Sequence, residues 1–303
     1  MRLITRANLD GVGCGVLITR MENIEQVVFA HPQYVSNGTV EIQKGDIIAN
    51  LPFHQNAGIW FSNNQKADAK DDKSFGVTGK RGFAPSSTRL VYDYYDSPRL
   101  KRFEGFIRET DRIDNANLSM DDVLNPQGWV LLSYTLDPFM GLAEYHGFAF
   151  SVMISIQNGS HVNQILDMPE VKGRIGRYRM DAEEFKLEVV DRSKLDDNVI
   201  FTDFRDTDIM PVGNRFLAFA LYPDGNVQVG ISLHKNQTEL RVRLGKSIFN
   251  RTCEVHLGQL AEKYGGGGVS GAAGLSLDPN DQNSEKVIAE IIERLKENSY
   301  ILM

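Results

Sequence analysis

The opening of the chain constrains its fold more than any other feature. Residues 2–6 (RLITR) read as a short strand, and the loop Asn8-Leu9-Asp10-Gly11 turns it at once into a helix over 11–22. VVFAH (27–31), DIIANL (46–51) and GIWF (58–61) are further short apolar runs, the last two bounded by Gly45, Pro52 and Gly58 as buried strands usually are. Strands alternating with helices predict a parallel sheet covered on both faces. Ligands of such sheets collect beyond the carboxyl ends of the strands. That rule directs attention to the loop after the first strand, where Asp10 can either hold a cation or cap the helix. The helix N-terminus favours anions such as phosphate.

Residues 65–82 are polar and glycine-marked and read as a surface loop. Helices then dominate, over 85–95, 100–110, the region of GWVLLSYTLDP and one or two segments within 160–190. The charged stretch 191–198 lacks periodicity and reads as a linker. The expected division is therefore 1–190 for the α/β domain and 191–303 for a smaller α+β domain. In the latter, VIFTDF (199–204), NRFLAFALY (214–222), NVQVGISLH (226–234) and TELRVRLG (238–245) read as extended runs, and YPDGN as a hairpin turn. A helix over 255–264, a glycine run, a strand near 273–277 and an amphipathic helix over 284–298 complete it.

Composition narrows the class. A formal net charge of -7 argues against a broad nonspecific nucleic-acid surface, though not against a local basic cleft. No apolar stretch approaches the roughly 18 residues needed to span a bilayer. The two cysteines, Cys14 and Cys253, lie far apart in a chain without a signal peptide, which predicts reduced thiols and a cytoplasmic protein. The six histidines show no zinc spacing, and there is no CxxC and no GxSxG.

Three further segments carry candidate chemistry. In 263–274, Gly265, Gly266, Gly267 and Gly268 let backbone amides approach the oxygens of a ligand, or else form a helix-to-strand connection. Arg251, in SIFNRT after the alternating strand, can pair bidentately with phosphate or stand solvated. Asp111, in TDRID, can ligate a metal or pair with a neighbouring arginine.

Taken in order, these pieces resemble the DHH phosphoesterases, and most closely the exopolyphosphatase-like, nanoRNase-related subgroup. The resemblance runs through LITRANLDGVGC, DIIANLPFHQNAGIWFSNN, APSSTRLVYDYY, TDRIDNANLSMDDVLNPQGWVLLSYTLDP, GNRF, SIFNRT and YGGGGVSGAAG. It implies an N-terminal DHH domain and a smaller DHH-associated C-terminal domain, with a phosphorylated substrate in the cleft between them. It also implies two Mn²⁺ ions, held by an Asp-x-Asp, a second Asp, an Asp-His-His triplet and a further Asp. The fourth of these positions matches Asp111.

The other positions depart from that pattern. Asp-x-Asp has become Asn8-Leu9-Asp10, and the triplet has become Ser62-Asn63-Asn64. The second Asp aligns with Asn50 at the carboxyl end of its strand. Asp46 is the alternative on the same face, about 13 Å away at about 3.3 Å per residue. A GGGH has become Gly266-Gly267-Gly268-Val269. Only Asp10 and Asp111 remain as acidic ligands, and neutral Asn and Ser oxygens suit Mn²⁺ poorly. The expectation is a degenerate relative that binds a phosphorylated small molecule or short nucleic acid without two-metal hydrolysis. Mn²⁺ or Mg²⁺ would be its cofactor only if activity survives. The alternatives are an active phosphohydrolase with a rebuilt site on Asp10 and Asp111, and a scaffold subunit. The oligomeric state is left open.

Overall fold

The computed structural model describes residues 1–63, 76–137, 146–207, 212–234 and 238–298. The chain divides into two compact units, the first Met1–Leu118 with Pro126–Tyr178, the second Ser119–Asn125 with Arg179–Met303.

The first unit is built on β1 (Arg2–Thr5), β2 (Gln26–Phe29), β3 (Asp46–Ala49) and β4 (Ala57–Phe61), in the order β2-β1-β3-β4 and parallel throughout. Each parallel neighbour requires a crossover. Helix α1 (Leu9–Met21) provides the first, and α2 (Pro32–Ser36) lies between β2 and β3. After β4 come α3 (Ser87–Tyr95), a 3-10 turn at Pro98–Phe103 and α4 (Glu104–Asp114). The short α5 (Met120–Leu124) belongs to the second unit, and α6 (Gly128–Leu136), α7 (His146–Gln157) and α8 (Val162–Leu166) return to the first. Residues 9–18 of α1 are all buried, as expected of a helix enclosed on every side. It packs against α3, α4, α6 and α7. Two glycines allow this closeness. A Cβ on Gly11 would lie 2.0 Å from the Arg6 carbonyl oxygen, and one on Gly13 would lie 2.4 Å from Thr88 Oγ1. On the opposite face of the sheet, Ile4, Ile48, Leu51 and Trp60 form a second apolar layer with Val35 and Ile42.

Helix α9 (Pro169–Arg192) carries the chain into the second unit, whose mixed sheet runs β5-β6-β7-β8-β10-β9. Its strands are β5 (Ser193–Asp196), β6 (Val199–Phe204), β7 (Val227–Leu233), β8 (Leu240–Lys246), β9 (Gly267–Val269) and β10 (Ala272–Leu277). Its remaining helices are α10 (Leu217–Leu221), α11 (Leu257–Glu262) and α12 (Asn283–Lys296). One sheet face, through Val229, Ile231, Val242, Leu244 and Leu275, packs on Leu257, Leu260, Ile288 and Ile291 of α11 and α12.

Two expectations need correction here. Residues 193–196 are not a linker but the edge strand β5, paired antiparallel with β6. The run LAFAL is a helix, not the first arm of a hairpin. Ala and Leu are strong helix formers, and β6 and β7 are parallel, which requires a crossover where a hairpin was expected. The turn at Gly225 therefore joins α10 to β7.

No helix among the described residues is long and apolar enough to cross a membrane. Both cysteines are free and buried. Burial pushes the Cys14 thiol well above its ordinary value, with Asp10 adding to the rise, so Cys14 packs as a small apolar residue. Four of the histidines, His31, His54, His161 and His256, accept backbone amides through Nδ1 at turns and helix starts.

Candidate functional site

The carboxyl ends of the adjacent strands β1, β3 and β4 bring Asn8, Asn50, Ser62 and Asn63 to one edge of the first sheet. Asn8 caps α1, its Oδ1 accepting the Gly11 amide at 3.0 Å and Asn50 Nδ2 at 2.9 Å. Asn50 sits just past β3 with φ of 55°, a left-handed conformation that Asn tolerates better than most residues. Ser62 is buried, and Asn64 lies outside the described residues.

Helix α3 organises the rest. Its first three amides have no intrahelical partner. Ser87 N donates to Asp10 Oδ2 at 3.0 Å, Thr88 N to Asp10 Oδ1 at 2.8 Å, and Arg89 N to Ser86 Oγ at 2.9 Å. Thr88 Oγ1 also donates to the Asp10 carbonyl at 2.8 Å. Asp10, 1% exposed, thus uses both carboxylate oxygens on the start of α3. Burial raises its pKa from the ordinary carboxylate value, while the Thr88 and Ser87 donors work in the opposite direction.

Asp111, on α4, is similarly engaged. Ser86 Oγ donates to its Oδ1 at 2.6 Å, and Arg89 donates to Oδ2 through Nε at 2.9 Å and an Nη at 2.6 Å. Asn63 accepts from Ser87 Oγ at 2.9 Å and donates to Asp114 Oδ2 at 3.1 Å. One short segment, residues 86–89, therefore ties together α1, the end of β4 and α4. The sequence offers a local sign of it, because Ser after Pro before an apolar run is a helix-start signature. Its partners, Asp10 and Asp111, lie too far along the chain to be read from that signature.

Asp46 lies at the opposite end of β3 from Asn50. Its carboxylate accepts from Arg2 Nε at 3.1 Å and Nη2 at 2.6 Å, and from Gln43 N at 2.8 Å. With Asp46 4% exposed and Arg2 21% exposed, the pair fixes the start of the strand. Asp46→Asn is expected to cost about 1–2 kcal/mol in denaturant unfolding, because a charged partner of Arg2 is lost. It should leave ligand affinity unchanged.

The donor set does not fit a two-metal centre. Two dications about 3.5–4 Å apart need anionic ligands between them. Here the strand ends offer neutral amides and a hydroxyl, and both oxygens of Asp10 and of Asp111 already accept protein donors. Among the described residues no group of three or more His, Cys, Asp and Glu side chains is placed to hold a metal.

In the second unit the glycine run forms the edge strand β9, paired with β10 through Gly267↔Gly274, Gly268↔Ala273 and Val269↔Ala272. Gly265 has φ of 78°. A Cβ on Gly266 would meet the Gly274 carbonyl oxygen at 2.4 Å, so this close approach requires glycine. Val269 is 48% exposed. Lys246, at the end of β8, joins this hairpin to the Arg251 segment: its amide donates to Gly271 O and its Nζ to Cys253 O, each at 2.9 Å. Arg251 is exposed, with Nε on Ile248 O at 2.9 Å. Lys246 thus links the segment that carries Arg251 to the turn of the glycine hairpin at Gly271.

A parallel sheet with its polar cluster at the carboxyl ends, followed by a unit with a mixed sheet, is the architecture of the DHH phosphoesterases. The sequence matches no protein-family model and no curated protein. Among solved structures the chain is similar to a pGpG-specific phosphodiesterase, PggH, from Vibrio cholerae. The identity is 28%, the TM-score 0.80, and the match covers 98% of this chain and 99% of that one. An exopolyphosphatase-related protein from Bacteroides fragilis shares the fold at 10% identity and a TM-score of 0.54, over 97% of this chain and 92% of that one. The DHH domain of a member of the S1p family of ribosomal proteins does so at 10% identity and 0.58, over 97% and 86%. The chain has the DHH phosphoesterase fold over nearly its whole length.

Proposed function

We propose that the protein binds a short phosphorylated nucleotide, of which the dinucleotide pGpG is the first to test, without two-metal hydrolysis. The observation that carries this reading is the placement of Asp10 and Asp111. The two acidic side chains left at the family's metal positions hold the start of α3 and the Arg89 guanidinium, and neutral Asn8, Asn50, Ser62 and Asn63 stand at the strand ends. Neutral side chains at these strand ends give two dications no anionic ligands.

One feature suited to phosphate is retained. The guanidinium of Arg251 supplies donors without metal, whereas the Gly265 and Gly266 amides already donate to the Glu262 and Ala261 carbonyls, at 3.2 and 2.9 Å. Losing one charge-assisted pair to phosphate costs about 1.5–3 kcal/mol, roughly tenfold to a hundredfold in affinity. Arg251→Ala is expected to weaken pGpG binding by that factor in calorimetric titration. The same titrations with Mn²⁺ should give no pair of tight sites, and pGpG should survive incubation with protein and Mn²⁺. Unchanged affinity in Arg251→Ala, or no binding of any phosphorylated ligand by the wild type, would leave a scaffold role as the better reading.

The second reading is a hydrolase with a rebuilt site. The likeness to the pGpG-specific phosphodiesterase over 98% of the chain favours it. Metal-dependent release of GMP from pGpG, lost in Asp111→Asn, would establish it.

A further inference from the structure

We infer that Arg6, one residue beyond β1, is the cation that receives the ligand's phosphate in the first unit. The inference rests on the phosphate-binding reading above and names the group that replaces metal charge there. Only two buried side-chain polar atoms among the described residues lack a hydrogen-bond partner, Arg6 Nε and Asn198 Oδ1. Asn198 is otherwise anchored, its Nδ2 donating to Asn226 Oδ1 and Leu295 O. Arg6 is different, because its guanidinium makes no hydrogen bond or ion pair with any described residue.

Arg6 as a whole is half-buried, but its Nε is enclosed, and an enclosed donor without an acceptor is costly in the ligand-free protein, so an acceptor supplied from outside relieves it. The carboxylates described at this edge of the sheet, Asp10, Asp111 and Asp114, each accept other donors. Asp10 is held by the Ser87 and Thr88 amides and Asp111 by Ser86 and Arg89. Asn8 Oδ1, two residues on, already takes two donors.

The position suits an anion on two further counts. Arg6 precedes the loop at the carboxyl end of β1, where ligands of parallel sheets bind. The N-terminus of α1, a helix of 13 residues, begins three residues later and favours negative charge. A phosphate monoester or diester matches the planar fork of the guanidinium bidentately, so the ligand class is phosphate.

The test compares wild type, Arg6→Met and Arg6→Lys in thermal unfolding with and without inorganic phosphate, and in calorimetric titration with pGpG. Arg6→Met removes an unpaired charge while keeping most of the side-chain volume. In anion-free buffer its midpoint should be equal to or above that of the wild type. The rise in midpoint that phosphate gives the wild type should vanish, and pGpG should bind about tenfold to a hundredfold more weakly. Arg6→Lys, which keeps the charge but not the fork, should fall between. A lowered midpoint in both variants with pGpG affinity unchanged would overturn the inference and leave the phosphate-binding reading intact. Stabilisation of the wild type by phosphate, lost in Arg6→Met, together with no pGpG binding would support Arg6 and reject the dinucleotide. If neither anion acts on the wild type, both proposals fall.

Discussion

Asp10→Ala is expected to destabilise the first unit by about 2–4 kcal/mol, measured by urea unfolding without added metal. The substitution strands two buried backbone donors, Ser87 N and Thr88 N, at the first two positions of α3. Each unsatisfied buried donor costs about 1–3 kcal/mol, and loss of a side-chain cap costs about 0.5–2 kcal/mol by itself. Asp10→Asn retains one acceptor oxygen and should cost about half as much. The outcome separates two roles for this residue. A carboxylate kept for a cation repels other acidic groups in the metal-free protein, so its removal would leave stability unchanged or raise it. A rise in the urea midpoint of Asp10→Ala would therefore show that its bonds to α3 are incidental.

Restoring the family's ligands should give the opposite behaviour. The variant Asn8→Asp, Asn50→Asp, Ser62→Asp, Asn63→His and Asn64→His is expected to be less stable than the wild type without metal and to be rescued by Mn²⁺. The reason lies in the Asn8–Asn50 contact. At 2.9 Å between Oδ1 and Nδ2, it is a donor–acceptor pair in the present chain and becomes two facing carboxylates in the variant. Ser62, 4% exposed, would add a buried acid to these two half-buried ones. Like charges this close in a poorly solvated site need a cation between them. Metal at a hundred times its dissociation constant stabilises by about 2.7 kcal/mol, a rise in the thermal midpoint of a few degrees for a unit of this size. The wild type should show no such rise. A Mn²⁺-dependent midpoint in the wild type equal to that of the variant would mean that the neutral residues already suffice. Activity need not return with binding, since groups behind the ligands also tune a metal.

The fold was largely legible because its signals are local. The strand–loop–helix at residues 2–22, the apolar runs of β3 and β4, the alternating β8 and the amphipathic α12 each follow from periodicity and from glycine or proline at their ends. Where local signals conflicted with a partner elsewhere in the chain, reading failed. Residues 193–196 carry charge and no periodicity, yet they form β5 because β6 offers them an edge. LAFAL is as apolar as a strand, yet it is helical because β6 and β7 pair in parallel.

The candidate site divides in the same way. Asn8, Asn50, Ser62, Asn63 and Asp111 were identifiable as residue types at strand ends and in a long motif. Identity and spacing along a chain determine which chemical groups a fold can place at its strand ends. The sequence alone left open which side chain caps α1, whether Asp46 or Asn50 stands with Asn8, and what Asp10 touches. The tertiary structure makes Asn8 the cap, places Asn50 on Asn8 and Asp46 on Arg2, brings the start of α3 onto Asp10 across 77 positions, and leaves Arg6 Nε buried without an acceptor. Hydrogen-bond satisfaction depends on distances between groups remote in sequence, and only the folded chain sets those distances.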